Sequence, residues 1–430
     1  MASFDLSPPS GTRDFLPDEV IARDRVIRTI KDVFERYGFG PLETPAFERI
    51  EILTGKYGDE GDKLIFKILK RGEQAATGEA DYALRYDLTV PLARVVANNR
   101  HKLGAIWKRY HIAPVWRADR PAKGRFREFY QCDIDVVGAK GPIADAEVLL
   151  AMSEALVACK LETFTIKLNS RKVLRGLLEA YAIAPEHQKL TLIELDKLDK
   201  EEVPAILARL EAAGVSERSR ALLQEDLATK DTAKIRARVA TVPLGAEGLR
   251  EVDTLAELVG TPNIVFEPFL ARGLDYYTGC VFEFGAPGLG SSIASGGRYD
   301  ELVGMFSNRR VPACGGSLGI ERILMLLEER EEATQASTAR VLVTIFDKES
   351  RVRALRTARR LREAGIATEV FVGDGELGKQ LKYAASRSIP LATIVGPDEV
   401  AKQLVTIKDL RVGQQENVPD AELETAIGRL

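Results

Sequence analysis

The chain is poor in the residues that build several common kinds of site. Only three histidines occur, His101, His111 and His187. That argues against a histidine-based catalytic triad and against a multi-histidine metal centre. The four cysteines, Cys132, Cys159, Cys280 and Cys314, are scattered without C-x-x-C spacing. This pattern fits reduced thiols in the cytoplasm and gives no structural zinc site. There is no P-loop and no paired G-x-G-x-x-G, so any nucleotide must be gripped by side chains and not by a glycine cradle. No signal peptide opens the chain and no long uncharged apolar run spans a bilayer, so no membrane partner is expected. The formal net charge is only −3. Contact with nucleic acid would therefore come from local patches.

What is present is concentrated between Trp116 and Asp135, W-R-A-D-R-P-A-K-G-R-F-R-E-F-Y-Q-C-D-I-D. The segment reads as a strand ending at Arg117, a cationic loop and a return strand. On the return strand Tyr130, Cys132, Ile134 and Val136 form a core face. Phe129, Gln131, Asp133 and Asp135 face the other way. Buried carboxylates are costly unless paired or hydrogen-bonded. Arg117, Arg120, Arg125 and Arg127 lie close by, and their planar forks suit phosphate or carboxylate. One hairpin thus offers an anion-binding loop beside an acidic floor. It suits a ligand with a polyphosphate at one end and an amine at the other.

A length of 430 residues implies two or three domains. An amphipathic helix is expected over 18–37, then an extended segment bracketed by Pro41 and Pro45. Strands are expected at 63–68, 82–86, 106–117, 127–138 and 164–168, and helices at 90–98 and from Asp145. Residues 171–252 read as a separate helical insertion. Strand patterns return at 264–285, and Gly315–Arg322 leads into a helix. Beyond a charged linker, residues 340–430 alternate strand and helix, which indicates a compact α/β domain around a largely parallel sheet.

Three segments resemble the motifs of class II aminoacyl-tRNA synthetases: F-G-P-L-E-T-P, W-R-A-D-R-P-A-K-G-R-F-R-E-F-Y-Q and G-S-L-G-I-E-R. Two more, L-A-R-G-L-D-Y-Y-T-G from Leu270 and A-S-G-G-R-Y-D from Ala294, resemble signatures of the histidyl enzymes. The resemblance covers nearly the whole chain. It implies an α+β fold: a six- to seven-stranded antiparallel sheet with flanking helices over 1–170 and 253–330, the insertion at 171–252, and an anticodon-binding domain at 340–430. It implies ATP-dependent activation of L-histidine, transfer to histidine tRNA, a homodimer paired through the first motif, and Mg²⁺ on the β- and γ-phosphates. The metal's protein ligands are left open between Glu321 and another carboxylate.

The same resemblance assigns roles. Arg117 and Arg272 hold the α-phosphate from opposite sides, and Arg125 holds the outer phosphates. Phe129 and Arg322 enclose adenine, while Asp119 contacts adenine or the acceptor end. Asp87, Thr89 and Gln131 receive the ammonium of histidine. Asp135 and Tyr277 receive its imidazole, with Tyr276 in the pocket or packing behind it. Gly296 and Gly297 let backbone approach the substrate. Asp87, Asp119 and Asp135 stand where some relatives carry Glu, and at Asp135 this implies a displaced or water-bridged contact. Lys379, Lys382, Arg387 and Lys402 are candidate tRNA contacts. The alternative is a regulatory relative that binds histidine without charging tRNA. Such proteins typically lack the C-terminal domain and have eroded signature arginines, whereas Arg117, Arg272 and Arg322 are all here.

Overall fold

The computed structural model describes residues 4–56, 58–122, 124–198, 201–271, 276–307, 309–329 and 337–430, with backbone alone for 58–60 and 329. These fall into two compact units, the smaller containing residues 337–430.

The larger unit is organised by an eight-stranded sheet. Its order is Gly40–Pro41, Trp107–Trp116, Glu128–Val137, Ala313–Gly319, Ala294–Arg298, Cys280–Gly285, Thr165–Ser170 and Ile264–Phe266. The short strands at the two edges pair in parallel, and every pairing between them is antiparallel. Those edge strands take the count beyond the six or seven expected. The alternation on the return strand is obeyed. Cys132, Ile134 and Val136 are buried in the largest core, with Tyr130 packed against it. The helix Pro142–Ala158 lies on this core with nine buried residues. A helix apolar on all sides belongs in an interior. Gly316 lets it come close, since a Cβ there would lie 2.6 Å from the Met152 sulfur.

Prolines divide the first-motif segment, because a proline cannot donate to a ladder. Gly40–Pro41 joins the large sheet, while Phe47–Arg49 joins a separate three-stranded sheet with Ala80–Leu84 and Lys67–Leu69. Six helices follow Ser170, from Arg171–Ala180 to Pro243–Val259, so the helical stretch runs seven residues past the expected end at 252. The first and last cross closely, because a Cβ on Gly176 would lie 2.5 Å from the Gly245 Cα. Leu174, Leu177, Val252 and Leu255 belong to the same core as the sheet. The apolar core of this helical stretch is continuous with that of the sheet.

The smaller unit holds a five-stranded sheet ordered Thr368–Val370, Val341–Val343, Leu391–Ile394, Leu404–Asp409, Gln415–Pro419. Its first two pairings are parallel and its last two antiparallel. The largely parallel sheet expected from strand–helix alternation is therefore corrected to a mixed one. The polar Gln415–Pro419 strand carries no apolar period, which is why it went unread, as did the closing helix Leu423–Arg429.

Candidate active site

The polar face of the large sheet is built in rungs. Pairing places Arg109, Asp135, Gly315, Gly297 and Val281 side by side across five strands. The next rung holds His111, Asp133, Ser317, Ser295 and Glu283, and the one after it Ala113, Gln131 and Gly319. Phe129 pairs with Val115 at the far end. Because the side-chain period of a strand is two, all these groups share one face.

At one end lies a buried ion pair. Arg109 has 0% exposure, and its Nη2 sits 2.8 Å from Asp135. The Tyr299 hydroxyl donates to the same carboxylate. Burial pushes the Asp135 carboxyl up, while Arg109 and then Tyr299 pull it down. The resemblance would leave Asp135 free to meet a ring nitrogen; it is instead already engaged by these two groups. Gly315 is required beside it, since a Cβ there would lie 2.0 Å from Asp135 Oδ1. Gly297 faces the pocket under Tyr277, whose ring a Cβ would meet at 2.9 Å. Gly296 does not. One residue along the strand, it points to the core, where a Cβ would lie 2.7 Å from Phe282 Cζ.

Tyr276 is buried and hydrogen-bonded to Thr89. Its ring centroid lies 4.9 Å from that of Tyr277 and 5.9 Å from that of Tyr299. It is a wedge that fixes both neighbours and Thr89. Asp87 Oδ1 accepts the Val90 N–H at 3.0 Å, in the first turn of the helix Thr89–Asn99. This locks the carboxylate against the helix entry, where negative charge is favoured. Gln131 Nε2 lies 3.4 Å from the Ser317 hydroxyl, and its Oε1 is buried without a hydrogen-bond partner among the described residues. Pairing and contacts thus bring Asp87, Thr89, Gln131, Asp135, Tyr276, Tyr277 and Gly297 to the same end of the polar face.

At the other end Arg117 donates to the Tyr86 carbonyl at 3.0 Å. Its guanidinium lies 4.4 Å from the Tyr86 ring centroid and 5.1 Å from that of Phe129. Arg125 pairs with Asp119 at 2.8 Å. Arg127, one of the four loop cations, is structural. It donates to the carbonyls of Asp119 and Ser10 and so ties the loop to the N-terminal lead-in. Arg322 donates to the Ser292 carbonyl. Glu321 accepts the Tyr130 N–H at 2.8 Å, a fastening between helix and strand. Among the described residues no group of three or more His, Cys, Asp or Glu side chains could hold a metal ion. Arg272 lies outside the described residues.

Sequence reasoning missed Arg109, Tyr299, Gly315 and Ser317. The first was legible in principle, because R-Y-H on one strand mirrors D-I-D on its partner. The others depend on a register that only the folded sheet reveals. In the smaller unit Lys379, Lys382, Arg387 and Lys402 are all exposed. The helix Leu377–Ser386 that carries two of them is fastened by Gln380, which exchanges hydrogen bonds with the Ile345 backbone at 2.8 and 2.6 Å. The helix Arg351–Glu363 bears six arginines, of which Arg351, Arg356, Arg359 and Arg362 are exposed, and these were not singled out from sequence.

Comparison with known proteins agrees with this layout. Residues 11–323 match the histidyl-tRNA synthetase family profile, and residues 340–430 match an anticodon-binding domain profile. A histidine–tRNA ligase of Gloeobacter violaceus is 40% identical, with 99% of each chain covered. One of Cytophaga hutchinsonii is 39% identical over 95% of this chain and 96% of its own. The crystal structure of histidyl-tRNA synthetase from Nostoc sp. PCC 7120 superposes with a TM-score of 0.83 at 31% identity, covering 99% of this chain and all of that one. The polar rungs, the motif-two hairpin and the C-terminal α/β unit occur in one chain that matches these relatives end to end. The chain belongs to the histidyl-tRNA synthetase family.

Proposed function

We propose that the polar sheet face binds L-histidine and ATP in line along the Glu128–Val137 strand, the imidazole near Asp135, the ammonium near Gln131 and the adenine near Phe129. The chain is a ligase that activates histidine with ATP and transfers it to histidine tRNA. The observation that supports the residue assignment is the order of groups on that strand. Six residues separate Asp135 from Phe129, roughly 20 Å of extended chain, enough for an amino acid followed by a nucleotide.

The chemistry is positioning and charge cancellation. The histidine carboxylate attacks the α-phosphorus as pyrophosphate leaves. Arg117, aimed by the Tyr86 carbonyl, holds the α-phosphate from one side, and Arg272 holds it from the other by the sequence match. Arg125 takes the outer phosphates on leaving Asp119, and Arg322 covers adenine opposite Phe129. Mg²⁺ on the β- and γ-phosphates would add charge neutralisation. Tyr277 and the Asp135–Tyr299 group read the two ring nitrogens. A polar pocket of this kind rejects apolar isosteres, because its own groups would be left unpaired. Charging of a histidine tRNA transcript with labelled histidine tests this function. A protein of the regulatory kind would bind histidine and leave the RNA uncharged.

Two further assignments belong to this reading. The four exposed cations of the smaller unit bind the tRNA backbone. Replacing Lys379, Lys382, Arg387 and Lys402 together by Ala then raises KM for tRNA and flattens its salt dependence, by roughly 0.7–0.9 in log–log slope for each phosphate no longer neutralised. Pyrophosphate exchange, which needs no RNA, stays unchanged. An unaltered KM for tRNA would remove these residues from the interface. The second assignment is a homodimer through the first-motif sheet. There Phe47, Leu69 and Tyr82 are 51%, 55% and 43% exposed, and the rings of Phe47 and Tyr82 stack edge-on at 5.8 Å. A second copy would cover this apolar patch. Phe47→Asp with Tyr82→Asp is expected to halve the mass measured by light scattering at micromolar concentration, and a parent chain that is already monomeric would contradict the assignment. Four buried free thiols suit a reducing cytoplasm. Among the described residues no helix is long and apolar enough to cross a membrane.

A further inference from the structure

One acidic side chain on the polar face has no part in the recognition just described. Asp133 lies in the middle of the floor, on the strand between Gln131 and Asp135, and is 2% exposed. Its Oδ1 is buried without a hydrogen-bond partner among the described residues. Its remaining hydrogen bonding goes to Ser317, the residue that also receives Gln131 Nε2. An unmatched carboxylate oxygen at this depth costs free energy unless a donor arrives.

The neighbours decide what that donor is. Arg109 points its Nη2 to Asp135 and to the Leu88 carbonyl. Arg85 donates to the carbonyls of Pro114, Thr44 and Pro45. His111 stands opposite Asp133 in register and is neutral, its pKa lowered to about 3 by burial and by the two arginines. The carboxylates Asp87 and Asp135 both raise the charge cost at Asp133. Three buried carboxylates, Asp87, Asp133 and Asp135, thus face two buried guanidinium groups, Arg85 and Arg109. The missing partner is one positive charge carrying N–H donors. The α-ammonium of an amino acid supplies it.

We propose that Asp133 is a further histidine-binding residue, whose Oδ1 receives the substrate's α-ammonium alongside Asp87 and Gln131. The inference rests on the function assigned above. It has a consequence for protons. Burial, the largest cause, raises the empty-site pKa of Asp133 to about 7. Below that pH the carboxyl holds a proton that the ammonium must displace, so binding through the ammonium tightens as pH rises through the neutral range.

The test compares L-histidine with imidazolepropionic acid, the same molecule without the ammonium, as ligands of the full-length protein. Asp133→Asn keeps the shape and removes the charge. It is expected to weaken histidine binding by about tenfold to a hundredfold, the range of a hydrogen bond to a charged group. Binding of the des-amino analogue and KM for ATP should hardly change. The preference for histidine over the analogue should grow more steeply between about pH 6 and about pH 8 in the parent than in Asp133→Asn, a comparison in which the differing imidazole titrations of the two ligands cancel. Asp133→Asn with parent-like histidine affinity, or the same pH slope of the preference in both proteins, would overturn the proposal. Those results would leave histidine-dependent exchange standing, so the two failures are distinguishable.

Discussion

Arg272→Ala is expected to leave the fold intact and to slow histidine-dependent pyrophosphate exchange roughly 10²–10³-fold, the usual cost of one preorganised charge contact at a transition state. In sequence Arg272 stands between the strands Ile264–Phe266 and Cys280–Gly285. The loss should appear in kcat and not in KM for histidine, because the charge it meets develops on the α-phosphate. Arg272→Lys should recover only part of the rate, since a point charge replaces a planar fork. Near-parental exchange in either variant would remove Arg272 from the reaction.

Arg109→Met has the largest expected effect on stability. The ion pair with Asp135 is fully buried. Removing one partner of such a pair typically costs about 3–5 kcal/mol, because the other charge stays buried without compensation. The pH dependence is a sharper readout. Arg109 is the main influence lowering both Asp133 and Asp135 against the burial that raises them. Without it both folded-state values move further above their unfolded ones. A carboxyl shifted upward adds stability at low pH and loses it as pH rises through the folded value. The deficit of Arg109→Met relative to parent should therefore be small at acid pH, where both carboxyls are protonated in both proteins, and grow as pH rises through and beyond the parent values, about 7 for Asp133. Urea midpoints measured across that range would show it. A deficit that does not vary with pH would mean that Arg109 contributes packing alone.

Much of this site was legible before folding, for a definable reason. Residues on one strand keep their relation whatever the tertiary structure, so Phe129, Gln131, Asp133 and Asp135 could be placed on one face from alternation alone. Asp87 and Thr89 came instead from the resemblance of one contiguous segment to the family. What failed depended on pairing between distant segments. Tyr299 reaches Asp135 across 164 positions of sequence. Arg127 looked like one more anion-binding cation until its donors were seen to hold backbone carbonyls. Gly296 and Gly297 are adjacent in sequence, yet sheet geometry sends them to opposite faces. The fold shows the same division. Strongly periodic elements such as Pro17–Arg36 and Trp107–Trp116 were placed within about two residues, whereas Gln415–Pro419 was missed. Likewise, the change from parallel to antiparallel pairing within the C-terminal sheet leaves no local signal.

The fold by itself does not separate a ligase from a binding protein. Function rests on the site. The most direct test is amino-acid-dependent exchange of labelled pyrophosphate into ATP by the full-length protein, run separately with each of the standard amino acids. Exchange is expected with histidine alone and should be abolished in Arg117→Ala. Exchange with no amino acid, or with one lacking an imidazole, would contradict it.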